Sequence, residues 1–132
     1  MLKIRCLPRF LIVFFYSLLC LSLMPTAQSA AKSDEDFFEL NDSFDLILEQ
    51  TFFCAISPNL RSDYVNKCHS LLKKNGHLAG LLFDTQFPQN PPFGGSKAEY
   101  IELFQPKFEI LQLKSCLNSI KPRQGSELFF EL

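Results

Sequence analysis

Hydrophobic positions change rhythm several times along the chain, and each rhythm predicts an element. Phe44-Asp45-Leu46-Ile47-Leu48-Glu49 is nearly continuous in apolar character, the pattern of a strand buried on both faces of a sheet. The chain then turns polar at Glu49-Gln50-Thr51, aromatic at Phe52-Phe53, and reaches Ser57-Pro58, a pair suited to capping and opening a helix. From Pro58 to Lys74 the residues Leu60, Tyr64, Val65, Cys68, Leu71 and Leu72 recur at helical spacing, one apolar stripe facing a core. Lys73 and Lys74 fall in the predicted last turn, Asn75-Gly76 stops it, and His69 lies one position off the stripe. His77 to Asp84 predicts a second buried strand through Leu78-Ala79-Gly80-Leu81-Leu82-Phe83. Strand, helix and strand make a βαβ unit. Its loops lie at the carboxyl edge of the sheet, where open α/β sheets bind ligands.

Around this unit the pattern is more broken. Lys32 to Asp36 is a polar linker, Asp36-Phe37-Phe38-Glu39-Leu40 reads as a short turn, and Asn41-Asp42-Ser43 is a turn cluster. Thr85 to Gly95 is a proline-rich loop. Ser96-Lys97-Ala98-Glu99 spells a capping box, opening a helix that buries Tyr100, Ile101 and Phe104 and stops at Pro106. Phe108 to Leu113 predicts a strand, Asn118 to Ser126 a loop, and Glu127 to Leu132 a closing strand.

The first 31 residues differ in kind. Basic Lys3, Arg5 and Arg9 precede an apolar run from Phe10 to Met24, followed by Pro25-Thr26-Ala27-Gln28-Ser29-Ala30-Ala31. This is the layout of a secretory signal cleaved after Ser29, or of an anchor that brings residues 10–24 to a membrane. The run is short for a full span, which needs about 20 residues. An accident of the reading frame is the alternative. The chain therefore divides into residues 1–31, a leader-like segment, and residues 32–132, a globular domain.

Charge supports that division. All 14 acidic residues lie beyond residue 30, against only 10 of the 13 basic ones. The near-neutral total gives no basic face for nucleic acid. Fifteen phenylalanines and no tryptophan predict an aromatic core. Cys6, Cys20, Cys54, Cys68 and Cys116 form no CxxC pair, so they read as small hydrophobes of a reducing compartment, neither a disulfide framework nor a metal site.

Asp36-Phe37-Phe38-Glu39-Leu40, Phe44-Asp45-Leu46-Ile47, Thr51-Phe52-Phe53-Cys54-Ala55-Ile56 and the segment from Ser119 through Lys121-Pro122-Arg123-Gln124-Gly125 to Phe130 together resemble the thiopurine and thiol/halide S-methyltransferase family. The resemblance runs from Asp36 to Leu132 and covers that family's carboxyl-terminal half. It implies an α/β fold, a partial doubly wound (Rossmann-like) sheet of the class I methyltransferases, preceded here by the hydrophobic segment. It implies S-adenosyl-L-methionine as cofactor and a small-molecule acceptor: a thiol, a halide or a thiopurine. By the same resemblance Asp36 and Phe37 lie beside the adenine, Gln50 and Thr51 contact the cofactor, and Phe52, Phe53 and Phe93 face the substrate; Asp84, at the carboxyl end of its strand on the same side as Gln50, is a further substrate-side candidate. Gln50 departs from the aromatic or arginine usual at its position. Taken without the resemblance, Asp36-Phe37 is an acidic turn with anchoring aromatics, Phe52 and Phe53 cap a core, and Asp84 is an exposed strand-end acid. Asn90-Pro91-Pro92-Phe93 spells the amine-holding motif of amino-methyltransferases, but far downstream of the strand it should follow, and reads as coincidence.

No catalytic dyad is assigned, because methyl transfer to a thiolate or halide is mostly a matter of positioning. The glycines Gly76, Gly80, Gly94, Gly95 and Gly125 form no G-x-G turn, and the family's first βαβ unit is absent. The strand at Phe44–Glu49 is then expected to present an open edge, an aggregation hazard to be covered by self-association or a complementary domain. These features favour a chain of doubtful activity alone. The rivals are a non-catalytic remnant and an exported or membrane-tethered module reusing the half-fold. On localisation the leader points outward, while the family domain points to the cytoplasm.

Overall fold

The apolar run at Phe44 becomes β3 (Phe44–Gln50), and the sheet is laid out on either side of it. The computed structural model describes residues 10–14, 30–31 and 34–132. β4 (Leu72–Phe83) pairs parallel with β3 on one side and β1 (Phe10–Phe14) pairs parallel on the other. β2 (Ala30–Ala31) lies beyond β1. Beyond β4 come β6 (Glu127–Glu131) and β5 (Gln112–Ser115), both antiparallel to their neighbours. The order β2-β1-β3-β4-β6-β5 is a partial doubly wound α/β sheet closed by an antiparallel pair.

The expected open edge of β3 is not open. Phe10 to Phe14 aligns with Leu46 to Gln50 in continuous parallel register, so part of the apolar leader supplies the strand that covers it. A run of β-branched and aromatic residues satisfies strand propensity as well as it satisfies a signal sequence. The basic residues Lys3, Arg5 and Arg9, the rest of the run to Met24, and the cleavage position at Ser29 lie outside the described residues. Among the described residues, no helix is long and apolar enough to cross a membrane.

Among the described residues the α-helices are α1 (Asp34–Glu39), α2 (Arg61–Leu71) and α3 (Lys97–Phe104). The core joins Ile47, Leu78, Leu82, Leu128 and Phe130 of the sheet to Tyr64, Val65, Cys68 and Leu71 of α2 and Tyr100 and Phe104 of α3. Its centre is aromatic: Phe53 meets Tyr64 and Tyr100 edge-on at 5.3 and 5.8 Å, and Phe104 stacks on Phe130 at 5.8 Å. Such geometries suit the ring quadrupole and account for the phenylalanine excess.

Several predicted boundaries shift. Asp36 to Glu39 is helical rather than a turn. Ser57 makes no side-chain cap; Pro58–Leu60 is a 3-10 turn and α2 starts at Arg61. The helix stops at Leu71 because Leu72 turns extended and pairs with Phe44. Lys73 and Lys74 thus belong to β4, where the register shifts between Phe44 and Leu46, Asn75 takes a φ of 63° and Lys73 pairs with Asp45 at 2.9 Å. The strand expected at Phe108–Leu113 is the shorter, later β5, since Phe108 still packs against Phe104. Ile101 is exposed rather than core.

The capping box is present as predicted. Ser96 Oγ accepts the Glu99 N–H at 3.4 Å, and Glu99 Oε2 accepts the Ser96 N–H at 2.7 Å. Replacing Ser96 with alanine should lower stability by about 1 kcal/mol, read as a lower urea midpoint with an unchanged slope.

Candidate functional site

Side chains alternate across a strand, so the residues between the core positions face the other side of the sheet from α2 and α3. There Leu48, Gln50, Ala79, Leu81 and Phe129 floor a groove of about 540 Å3. Asn118, Ser119, Ile120 and Arg123, from the loop between β5 and β6, form its wall at the carboxyl ends of β3 and β4. Apart from Gln50 in the floor and Ile120 in the wall, the floor is apolar and the wall polar, the usual division of labour in a small-molecule site.

The residues singled out in the sequence are distributed unequally around this groove. Gln50 lines it, and Thr51 borders the adjoining crevice with Phe83 and Arg123. Phe37 is fully buried on the opposite side of the sheet, stacked on Tyr64 at 5.2 Å and tilted on Phe52 at 5.0 Å. Its ring faces are spent on the core and none is left for a nucleobase. Asp36 precedes it in α1. Phe52 and Phe53 are buried in the same cluster. Asp84 is exposed and accepts the Lys97 N–H at 3.2 Å at the start of α3. Phe93 is half-buried, its N–H donating to the Cys54 carbonyl at 2.6 Å.

Residues that were not singled out matter more. Arg61 donates to the Gly94 carbonyl at 2.8 Å, with its guanidinium 4.6 Å from the Phe53 ring centre, and so fastens the proline-rich loop to α2. Arg123 sits 5.5 Å over the Phe83 ring and 3.3 Å from Glu127, with its side chain about one-third exposed. Glu49 shares Ile47's face of β3 and is buried. Its Oε1 accepts the N–H groups of Phe52 and Phe53, each at 2.9 Å, and its Oε2 accepts the Tyr64 hydroxyl at 2.6 Å. Burial pushes its carboxyl up to about 7 despite those hydrogen bonds, which favour the charged form. The strand periodicity alone could have flagged Glu49, because an acid two places from Ile47 shares the buried face.

Residues 25–129 match the thiopurine S-methyltransferase family. The chain belongs to that family. It is 34% identical over 110 residues to the probable thiol methyltransferase 2 of Arabidopsis thaliana, covering 80% of this chain and 49% of that protein. It is 32% identical over 107 residues to thiocyanate methyltransferase 1 of Brassica oleracea, covering 78% and 47%. The chain thus spans about half the length of these relatives. Among solved structures it resembles a Burkholderia thailandensis 1,6-didemethyltoxoflavin-N1-methyltransferase with bound S-adenosylhomocysteine, at a TM-score of 0.58 and 19% identity, covering 72% of this chain and 46% of that one. TehB of Haemophilus influenzae matches with a TM-score of 0.58 and 13% identity, covering 78% and 40%. These likenesses establish the methyltransferase fold.

A cofactor of the S-adenosyl type asks for a carboxylate at its ribose and amine, and for backbone N–H groups at its carboxylate. The acid on the groove side, Glu127, is buried and bonded to Arg123, and Glu49, on the core face of β3, is bonded to Tyr64. Among the described residues lining the groove, neither carboxylate is therefore left for a ribose.

Proposed function

We propose that this chain forms the acceptor side of an S-adenosylmethionine-dependent methyltransferase acting on a small soft nucleophile, a thiolate or an anion such as thiocyanate. The observation that carries the reading is the placement of Gln50 and Arg123 together at the carboxyl edge of a methyltransferase sheet. Bound cofactor would supply the electrophilic methyl carbon. The chain's own contribution is to orient: Arg123 and the Gln50 amide offer N–H donors to an anion, while Leu48, Leu81 and Phe129 exclude water from its far side.

In this reading a complementary half supplies the ribose-holding part, so the chain alone is expected to give no methylation of thiocyanate above background. Adding a separately made amino-terminal half of a full-length relative should restore it. In that mixture Arg123→Ala should raise the KM for thiocyanate about tenfold, the loss of one charge-assisted contact. Failure of the mixture, under conditions where the intact relative turns over, would mark the chain as a non-catalytic remnant.

A second reading rests on the apolar run after Lys3, Arg5 and Arg9: export, or tethering to a membrane, of an interaction module. Cleavage after Ser29 would remove β1 and reopen the edge of β3. An amino terminus at Ala30 in an extracytoplasmic fraction would establish that reading, and an intact Met1 in the cytosol would exclude it.

A further inference from the structure

The turn after β3 carries a backbone conformation that its residue disfavours. Thr51 has a φ of 64°, and a β-branched side chain in the left-handed region is strained. Strain of this kind persists where the surroundings over-determine it. Here Cys54 Sγ donates to the Thr51 carbonyl at 3.3 Å and the Ala55 N–H to the Phe52 carbonyl at 2.9 Å, and a buried carboxylate gathers the remaining donors. Glu49 Oε1 receives the N–H groups of the two residues directly after Thr51, while Oε2 is anchored by Tyr64 of α2. Gln50 and Thr51, caught between, are the members of this turn that border the groove and its crevice.

We propose that Glu49 is a positioning residue for this site: its carboxylate locks the strained Thr51 turn and so sets where Gln50 and Thr51 meet a small anionic acceptor. The inference rests on reading the carboxyl edge as the acceptor site. Glu49 itself touches no acceptor; it acts through the turn.

The lock depends on ionisation. A carboxylate accepts from all three donors, whereas a carboxylic acid must turn one oxygen into a donor and weakens one of those bonds. Burial sets the change near pH 7. The titratable groups facing Glu49 are Tyr64 and Cys68 on α2 and Cys54 in the turn, all pushed upward by burial. None of them changes charge in this range. β1 and β4 bring Val13 and Gly80 opposite Glu49, and neither titrates. Local opening of the turn, with Glu49 still buried against Tyr64, loses bonds that favour the charged form, so against that opening the turn tightens as pH rises through about 7.

The test is amide hydrogen exchange of Phe52 and Phe53 in the full chain, followed by NMR between about pH 5.5 and about pH 8.5 and corrected for intrinsic rates. Protection of both amides should rise about tenfold across the range. In Glu49→Gln it should be flat and about tenfold lower at the upper end. If Glu49→Gln does not fold, Tyr64→Phe serves: removing a donor that favours the carboxylate should move the protection midpoint to higher pH. Flat protection in the wild type, unchanged protection in Glu49→Gln, or an unmoved midpoint in Tyr64→Phe each overturns the lock. Thiocyanate titrated into the same samples, watched at the Gln50 and Thr51 amide resonances, separates the lock from the site. Shifts that weaken at low pH and in Glu49→Gln support the positioning role, and shifts indifferent to both overturn it. No shifts beside an intact protection step overturn the acceptor-site reading and leave Glu49 a purely structural lock.

Discussion

Gly80→Ala is expected to keep the chain from forming its native sheet. A Cβ at Gly80 would stand 2.0 Å from the Glu49 carbonyl oxygen and 2.7 Å from the Glu49 Cβ. The obstruction is the backbone of the neighbouring strand, which cannot swing aside as a side-chain end can. Glu49 and Gly80 are register partners in the β3–β4 pairing, and Gly80 is also opposite Phe130 of β6. Moving β4 away from β3 therefore drags the rest of the sheet. Overpacking usually costs about 1–3 kcal/mol, and a backbone clash on this scale belongs at or above the top of that range. Domains hold only about 5–15 kcal/mol in total, so the variant should show low soluble yield and a collapsed urea midpoint. A wild-type midpoint would refute the expectation.

The second large effect is on pH dependence. Glu49 is buried, and its carboxyl is raised from 4.5 to about 7. A folded-state value above the unfolded one means that its contribution to stability is fully present below pH 4.5 and is lost as pH rises through about 7. At 1.36 kcal/mol per unit, the loss is about 3 kcal/mol. Glu49→Gln carries no charge, and its amide oxygen holds the Phe52 and Phe53 N–H groups more weakly than the carboxylate does. Urea unfolding should therefore show the variant close to wild type near the acid end and about 3 kcal/mol more stable at about pH 8. An equally steep pH dependence in the variant would sink this account. Ionised Glu49 thus works in two directions. It weakens the fold as a whole because a charge is held out of water, and it tightens the turn at Thr51 because that charge gathers three donors.

Much of the candidate site was hidden from the sequence for one physical reason. An apolar or aromatic residue in a loop announces burial, but not which side of a sheet it is buried on. Phe37, Phe52 and Phe53 were legible as aromatic anchors, and they pack together with Tyr64 on the side facing away from the groove. Gln50 was legible because it ends a strand at the carboxyl edge. Arg123 lay within a motif that suggested family membership without naming a role, and only the return of the β5–β6 loop over Phe83 brings it beside Gln50. Phe10–Phe14 has a composition equally good for a leader and for a parallel strand, and local pattern cannot separate the two.

By itself the sequence determined the alternation of strand and helix, the βαβ unit from Phe44 to Phe83, the capping box at Ser96 and the family. Each of these depends on residues near one another in the chain or on a linear motif. The tertiary structure alone decided that β1 closes the edge of β3, that β4 begins at Leu72, and that Glu49 is buried at the hub of the turn. Those outcomes depend on register partners and hydrogen-bond donors that folding brings together, such as Phe14 beside Gln50 and Tyr64 beside Glu49. A buried carboxylate is tolerable only once its donors have arrived, and no local pattern records their arrival.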